Sequence, residues 1–473
     1  MTTKKRVFLT GATGNMGREV LRELIDRADR FDVIALVLPT ARDRELIAEF
    51  REAPSVVIVY GDLTEYDDVE RCVRGADFVL HTGALVSPVA DDQPELTMKV
   101  NVGGARNIIR AVKAQDDPDS IGVVMIGSVA ETGDRNPPRH WGRVGDPLKP
   151  ATYDTYAQSK IIAERELVDS GLHKWAWLRQ TGIFHPGLLK IRDPIMMHQP
   201  FGGVMEWVSV KDSGRLLANA CEDDVPDDFW CGVYNVGGDS SWRLTNWEFQ
   251  TRMMGALGVA DVRRWYERNW FATQNFHGHW YTDSDRLDDL LHFRTEAFDE
   301  ALARAVASAP ALLRLAGHVP PWLVKQLVIK PLTLKPRGTM SWIEARDEDR
   351  IRGYFGSRMQ WERIGNWSTF DPPDPSHRPT YLDLGFDETR DPATWGAPDL
   401  AQAADIRGGA LVSATGKTTN TATPLRWRCA EDHTFTGSPR LVLTAGHWCP
   451  TCVTRPADFG RQAESNAFLR QVI

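Results

Sequence analysis

The run Thr10-Gly11-Ala12-Thr13-Gly14-Asn15-Met16-Gly17 follows the apolar stretch Arg6-Val7-Phe8-Leu9 and opens into a helical pattern. A strand, a glycine-rich turn and a helix in that order constrain the fold more than any other feature of the chain. Gly11 permits a tight turn, Gly14 lets backbone approach a pyrophosphate, and Gly17 lets the helix lie against the strand. The helix start then offers free N–H groups and a positive dipole end to phosphates. Thr13, Asn15 and Met16 complete the turn and are candidate cofactor contacts with the glycines.

Beyond the loop, β-rich apolar runs alternate with helical patterns up to about residue 180. Strands are expected at 6–10, 33–38, 56–60, 78–82, 122–127 and 175–179, with helices at 18–28, 96–114 and 156–170. This alternation predicts an α/β fold, a Rossmann-type doubly wound parallel sheet, with ligand at the carboxyl ends of the strands. The expected division is a dinucleotide-binding domain over 1–180 and a substrate lobe over 181–315. An aromatic and basic extension follows over 316–425, then a zinc-binding module over 426–456 and a tail over 457–473. Residues 371–425, rich in Pro, Asp, Thr and Gly, read as loop or linker. The apolar, basic segment 320–337 reads as a docked linker, or as a surface that touches a membrane or another subunit.

A catalytic set follows the loop in the expected order. Tyr156 and Lys160 stand four apart, on one face of a helix, and Ser128 comes just after the fifth strand. The lysine's charge is expected to favour the phenolate and draw the tyrosine pKa toward working pH. Ser128 would hold a substrate oxygen while Tyr156 trades a proton with it. Tyr153 is a rival tyrosine, but Ala157 stands four residues after it.

These residues resemble the extended short-chain dehydrogenase/reductase family, also called the NAD-dependent epimerase/dehydratase family, over residues 5–310. The glycine loop and the trio Ser128, Tyr156 and Lys160 carry the resemblance. Asp62-Leu63, His81-Thr82-Gly83-Ala84, Asn101 and His185-Pro186-Gly187 with Arg179 resemble its other landmarks. The resemblance implies an oxidoreductase that moves hydride between nicotinamide and a small-molecule carbonyl or alcohol. It implies cofactor contacts at Asp62, Leu63, Thr82, Gly83, Ala84, Asn101, Tyr156, Lys160 and His185. It also implies a homodimer through the helix carrying Tyr156. The alternatives are a nucleotide-sugar epimerase or dehydratase, and a non-catalytic cofactor-binding scaffold.

No carboxylate stands at once after the second strand, where an NAD-preferring site would place one. Arg42 and Arg44 lie there, and Arg18 follows the loop, so NADP is favoured over NAD. The run 195–207, with Met196, Met197, Phe201 and Met205, reads as a soft apolar lid for a bulky substrate. Only Lys190 and Arg192 lie close enough to suit a sugar diphosphate.

Near the end, Cys429-x-x-x-His433 and Cys449-Pro-Thr-Cys452 give three thiols and an imidazole in two short knuckles. That spacing suits one tetrahedral structural zinc, with His447 as a substitute ligand. The stretch resembles small zinc-ribbon modules. A net charge of −8 argues against nucleic acid as partner. No apolar run reaches the ~20 residues of a membrane span, and the basic N-terminus runs straight into a strand. A cytoplasmic protein, with peripheral membrane contact at most, is the expectation.

Overall fold

Short runs of Val, Ile, Leu and Phe, apolar on both faces, build strands that helices must cover on each side. In the computed structural model, which describes residues 4–190, 193–314, 316–413 and 420–473, seven such strands form one sheet. They are β1 (Lys5–Thr10), β2 (Phe31–Val37), β3 (Val56–Tyr60), β4 (Phe78–His81), β5 (Gly122–Ser128), β6 (Trp175–Gln180) and β7 (Gly232–Val236). The order is β7-β6-β5-β4-β1-β2-β3, parallel throughout. β1 thus has β2 on one side and β4 on the other, and the crevice above this reversal opens at the glycine loop. β7 extends the sheet beyond the six expected strands.

Helix α1 (Asn15–Ile25) buries Val20, Leu21 and Leu24 on one face of the sheet, beside Leu216 and Leu217. On the other face lie α2 (Gly104–Lys113) and α3 (Thr155–Val168), with Ile108, Ala163 and Leu167 against Trp175 and Trp177. The single helix expected over 96–114 is interrupted by a π-helical stretch, Met98–Gly103. Such turns re-aim a side chain, and here the segment carries the buried Asn101.

The smaller lobe has its own core of Phe184, Trp242, Phe249 and Phe298. Segment 320–337 is helical from Pro321 to Thr333 and docks through Ile329 and Leu332. Residues 371–425 are not all loop: Ala397–Ile406 is a helix whose Leu400 and Ala403 share a core with Trp395, Trp427 and Phe435. That core is the heart of the C-terminal module, whose strands Leu425–Arg428 and Thr434–Gly437 pair antiparallel.

The module sits on α3. Arg165 donates to the carbonyls of Thr436 and Trp448, and the Ser438 N–H donates to Asp169 at 3.2 Å. Leu441 enters the core beside Trp175 and Trp177. The chain's own C-terminus therefore covers part of the helix on which the resemblance places a dimer contact.

Candidate active site and metal centre

The glycine loop is built from close backbone approaches. Gly11 has a φ of +70°, and a Cβ there would lie 2.6 Å from the Gly83 nitrogen. At Gly17 a Cβ would lie 2.2 Å from the Gly11 carbonyl oxygen. The loop is knitted to the turn after β4: the Thr82 hydroxyl donates to the Thr10 carbonyl at 2.8 Å and Gly83 N–H to the Thr10 hydroxyl at 3.1 Å. His81, beside Thr10 Oγ1 at 2.8 Å, is held neutral, its pKa lowered to about 3 by burial and by the charge of Lys160.

Of the other expected cofactor contacts, His185, Thr82 and Gly83 reach this loop, while Asp62, Leu63 and Asn101 make their contacts elsewhere. His185 Nε2 lies 3.3 Å from Asn15 Nδ2, so the segment after β6 reaches across to the helix start. Asp62 accepts from the Thr64 N–H at 2.8 Å, closing a turn at the end of β3, and Leu63 packs against Gly104. Asn101 exchanges hydrogen bonds with the backbone of Leu85 (2.8 and 2.9 Å) and donates to Ser159 Oγ at 2.9 Å. Its amide is committed to the loop beyond Ala84 and to α3, so it shapes the pocket wall.

The residues expected to select the cofactor form diverge. Arg44 lies 3.9 Å over the Tyr60 ring, and Arg18 donates to Asn15 Oδ1 at 3.1 Å. Arg42 is exposed. Asp43, one residue on, accepts from the Thr13 hydroxyl of the glycine loop at 2.8 Å. Arg192 lies outside the described residues, as do the structural surroundings of the Lys190 side chain.

Ser128, Tyr156 and Lys160 converge at the end of β5. The Ser128 hydroxyl is near enough to the Tyr156 phenol to lower its pKa. Lys160 Nζ lies 5.8 Å from the Tyr156 ring centroid and donates to the Ile126 carbonyl at 2.6 Å. The expectation that Lys160 draws the phenol toward neutral pH is corrected by this geometry. Burial raises the Tyr156 pKa above that of a free tyrosine, the nearby Ser128 hydroxyl offsets only part of it, and Glu131 and Asp154 add to it. The Lys160 ammonium is turned to a backbone carbonyl, and burial lowers its own pKa to about 8 against the attraction of Glu131.

A buried charge network behind this trio has no counterpart in the motif reading. The Glu131 carboxylate accepts from the Ser128 N–H at 2.7 Å and from Trp177 Nε1 at 3.3 Å. Ser128-x-x-Glu131 is a capping box, a spacing legible in the sequence. Arg179 makes a two-pronged pair with Glu164 (2.9 and 2.6 Å) and lies 3.5 Å from Glu131. Arg179 therefore faces α3 and does not close over a nicotinamide. Burial and the charge of Glu164 raise the Glu131 pKa well above the usual carboxylate range. Burial opposes ionisation of Glu164 too, but Arg179 and hydrogen bonds from Glu131 and His447 together outweigh it and hold that carboxyl low.

The C-terminal module completes the network. His447 Nε2 lies 3.0 Å from Glu164 Oε1, and the Ala445 carbonyl accepts from Arg179 at 2.7 Å. His447 is thus not a substitute metal ligand. It is turned away from the cysteines and into the Rossmann domain.

On the substrate side, Asp154 caps α3 by accepting from the Ala157 N–H at 2.8 Å. His277 lies 3.7 Å from it. Asp91 is near enough to be affected: burial and the Asp154 charge raise its pKa to about 6. The expected lid is corrected. Met197, Phe201 and Met205 are buried, and Phe201 stacks on Phe271 at 4.1 Å within a core that includes Trp265 and Trp270. The extension that follows supplies the aromatic partners Trp367 and Phe370, so these residues hold two parts of the chain together.

Cys429, His433, Cys449 and Cys452 come together with all four ligand atoms within 4.8 Å of one another. The His433 Nδ1 atom lies 3.5, 3.6 and 3.4 Å from the three sulfurs, and Cys429 and Cys452 are 3.8 Å apart. Zinc bonds of about 2.3 Å to sulfur and about 2.0 Å to nitrogen at tetrahedral angles require S···N edges of about 3.5 Å and S···S edges of about 3.8 Å. The cluster has those dimensions.

Residues 7–174 match the family described as NAD dependent epimerase/dehydratase. That matched segment, which carries the glycine loop, Ser128, Tyr156 and Lys160, is similar to that family. It is 26% identical over 208 residues to a 3 beta-hydroxysteroid dehydrogenase type 7 of Mus musculus, covering 41% of this chain and 55% of that one. It is 28% identical over 217 residues to a 3 beta-hydroxysteroid dehydrogenase/Delta 5-->4-isomerase of Mycobacterium tuberculosis, covering 42% and 52%. The chain thus spans about half the length of these curated relatives. Among solved structures, a dTDP-glucose 4,6-dehydratase of Bacillus anthracis in complex with NAD superposes with a TM-score of 0.51. That match is 15% identical and covers 64% of this chain and 96% of the other. A UDP-glucose 4-epimerase of Thermus thermophilus with NAD gives 0.50 at 20% identity, covering 64% and 98%. These likenesses establish the shared fold.

Proposed function

We propose that the protein is a nicotinamide-dependent oxidoreductase that interconverts a carbonyl and an alcohol on an apolar small molecule. The observation that carries this reading is the convergence of Ser128, Tyr156 and Lys160 beside a glycine loop that His185 faces from the far side. A nicotinamide dinucleotide, when bound, would donate or accept hydride. Gly11, Thr13, Gly14, Asn15, Met16 and Gly17 would hold its pyrophosphate, and Thr82, Gly83 and Ala84 would line its path. Ser128 holds the substrate oxygen, and Tyr156, kept protonated by burial, gives that oxygen a proton in the reducing direction. Lys160, its ammonium at the Ile126 carbonyl, would add positive charge to the dinucleotide site.

The apolar substrate class is supported by the hydroxysteroid relatives. The methionine run, buried in the core, gives it no support. For the cofactor form, Arg18 and Arg42 suit a 2′-phosphate, while Asp43 beside Thr13 suits a free 2′-hydroxyl. The ratio of NADPH to NADH dissociation constants decides between them. The deciding experiment for the reaction follows NAD(P)H consumption with a panel of 3-keto and 3-hydroxy steroids and simpler ketones. Net turnover lost in Tyr156→Phe supports the proposal. An epimerised or dehydrated nucleotide sugar formed without net cofactor turnover overturns it.

We also propose that Cys429, His433 Nδ1, Cys449 and Cys452 hold one zinc ion. Four protein ligands leave no open position, so the metal would brace the fold and take no part in the chemistry. The division at residues 180, 315, 425 and 456 belongs to the same proposal.

A further inference from the structure

Between Glu300 and Glu344 the chain has no acidic residue, yet it carries Arg304, Arg314, Lys325, Lys330, Lys335 and Arg337, in a protein whose net charge is −8. Within this stretch three abutting helical segments, Pro321–Val324, Lys325–Ile329 and Lys330–Thr333, lie along the surface. Their inner side is accounted for: Ile329 and Leu332 are buried, with Val324 and Val328 packed against the core containing Trp265 and Trp270. Lys325 is paired with Glu267, and Arg337 with Asp193 at 3.3 Å.

The outer side is the anomaly. A solvated helix face is ordinarily polar. This one presents Trp322, Leu327 and Leu334 at 64%, 70% and 38% exposure, interleaved with exposed Gln326, Lys330 and Lys335. Neither Lys330 nor Lys335 has a carboxylate partner among the described residues. Tryptophan and leucine between unpaired lysines is the composition of a helix that lies in the headgroup layer, apolar side chains inserted and ammonium groups at lipid phosphates. No helix among the described residues is long and apolar enough to cross a membrane, so the contact is peripheral.

We propose that the face formed by Trp322, Leu327, Lys330, Leu334 and Lys335 binds an anionic lipid surface. Position gives it a consequence that rests on the proposed function. Arg337, at the end of the segment, lies 3.6 Å from Asp92 in the helical turn Val89–Asp92 that follows β4, so a bound lipid surface would lie beside the element that follows this strand of the dinucleotide crevice.

The test uses the full chain and co-sedimentation with vesicles of phosphatidylcholine alone or with one-third phosphatidylglycerol. Binding is expected to the anionic vesicles, weakening as salt rises. Lys330→Gln with Lys335→Gln should lower the partition coefficient roughly 25-fold, at about fivefold per lysine. Trp322→Ser with Leu327→Ser should lower it at least tenfold, with unchanged circular dichroism because both side chains are exposed. Equal binding to neutral vesicles, no binding to anionic ones, or variants that bind as the parent does would overturn the proposal. So would a concentration-dependent dimer, seen by sedimentation, that Trp322→Ser with Leu327→Ser abolishes, because it would assign the face to a second copy. Vesicle binding is read without turnover, so its failure is distinct from failure of the oxidoreductase reading.

Discussion

Replacing Arg179 by methionine removes the only cation that contacts both Glu164 and Glu131 among the described residues. All three side chains have no solvent exposure. Breaking a buried pair by deleting one partner costs about 3–5 kcal/mol, because the remaining charge is left without compensation. The Ala445 carbonyl also loses its donor, which adds about 1 kcal/mol. The expected loss is therefore about 5 kcal/mol, a large share of the roughly 5–15 kcal/mol that holds a typical domain. Urea unfolding followed by tryptophan fluorescence reads it. In the parent, Glu164 has a depressed pKa, so its contribution is present above about pH 4.5 and is lost as pH falls through the native value. In Arg179→Met the carboxyl is disfavoured as an anion. The variant's deficit should then be largest at pH 7 and shrink toward pH 5, and adding Glu164→Gln should recover part of it at pH 7. A loss below 1 kcal/mol, or a double variant no more stable than the single one, would refute the reasoning.

Tyr156→Phe should lower turnover by about 10²–10⁴-fold while the dissociation constant of the dinucleotide stays within threefold; unaltered turnover would remove Tyr156 from the chemistry. Gly17→Ala, whose Cβ would meet the Gly11 carbonyl at 2.2 Å, should weaken dinucleotide binding at least tenfold in a titration monitored by fluorescence. Because Lys160 has a pKa lowered to about 8, dinucleotide affinity should fall as pH rises through 8, and Lys160→Met should flatten that dependence. Metal analysis should find about one zinc per chain. Cys452→Ser should lose it and expose the module, read as faster proteolysis after residue 380, whereas an unchanged digestion pattern would deny the metal a bracing role.

The sequence alone determined six of the seven sheet strands and the loop. β1, the glycine turn and α1 follow from local sterics and period, since only glycine fits where backbone approaches at 2.6 Å or less. The clustering of Cys429, His433, Cys449 and Cys452 was legible too, because they lie in two short knuckles. The order of the trio was readable, but its electrostatics were not. Which way the Lys160 ammonium turns, and how far burial lifts the Tyr156 phenol, depend on what packs around α3. Tertiary structure alone joined Arg179 to Glu164 and His447, residues 15 and 283 positions from Glu164. It also decided that Met197 and Phe201 are core and that Trp322 and Leu327 are surface, although all four sit in apolar runs. Local pattern records that a side chain is apolar; only the assembled fold determines whether anything is there to cover it.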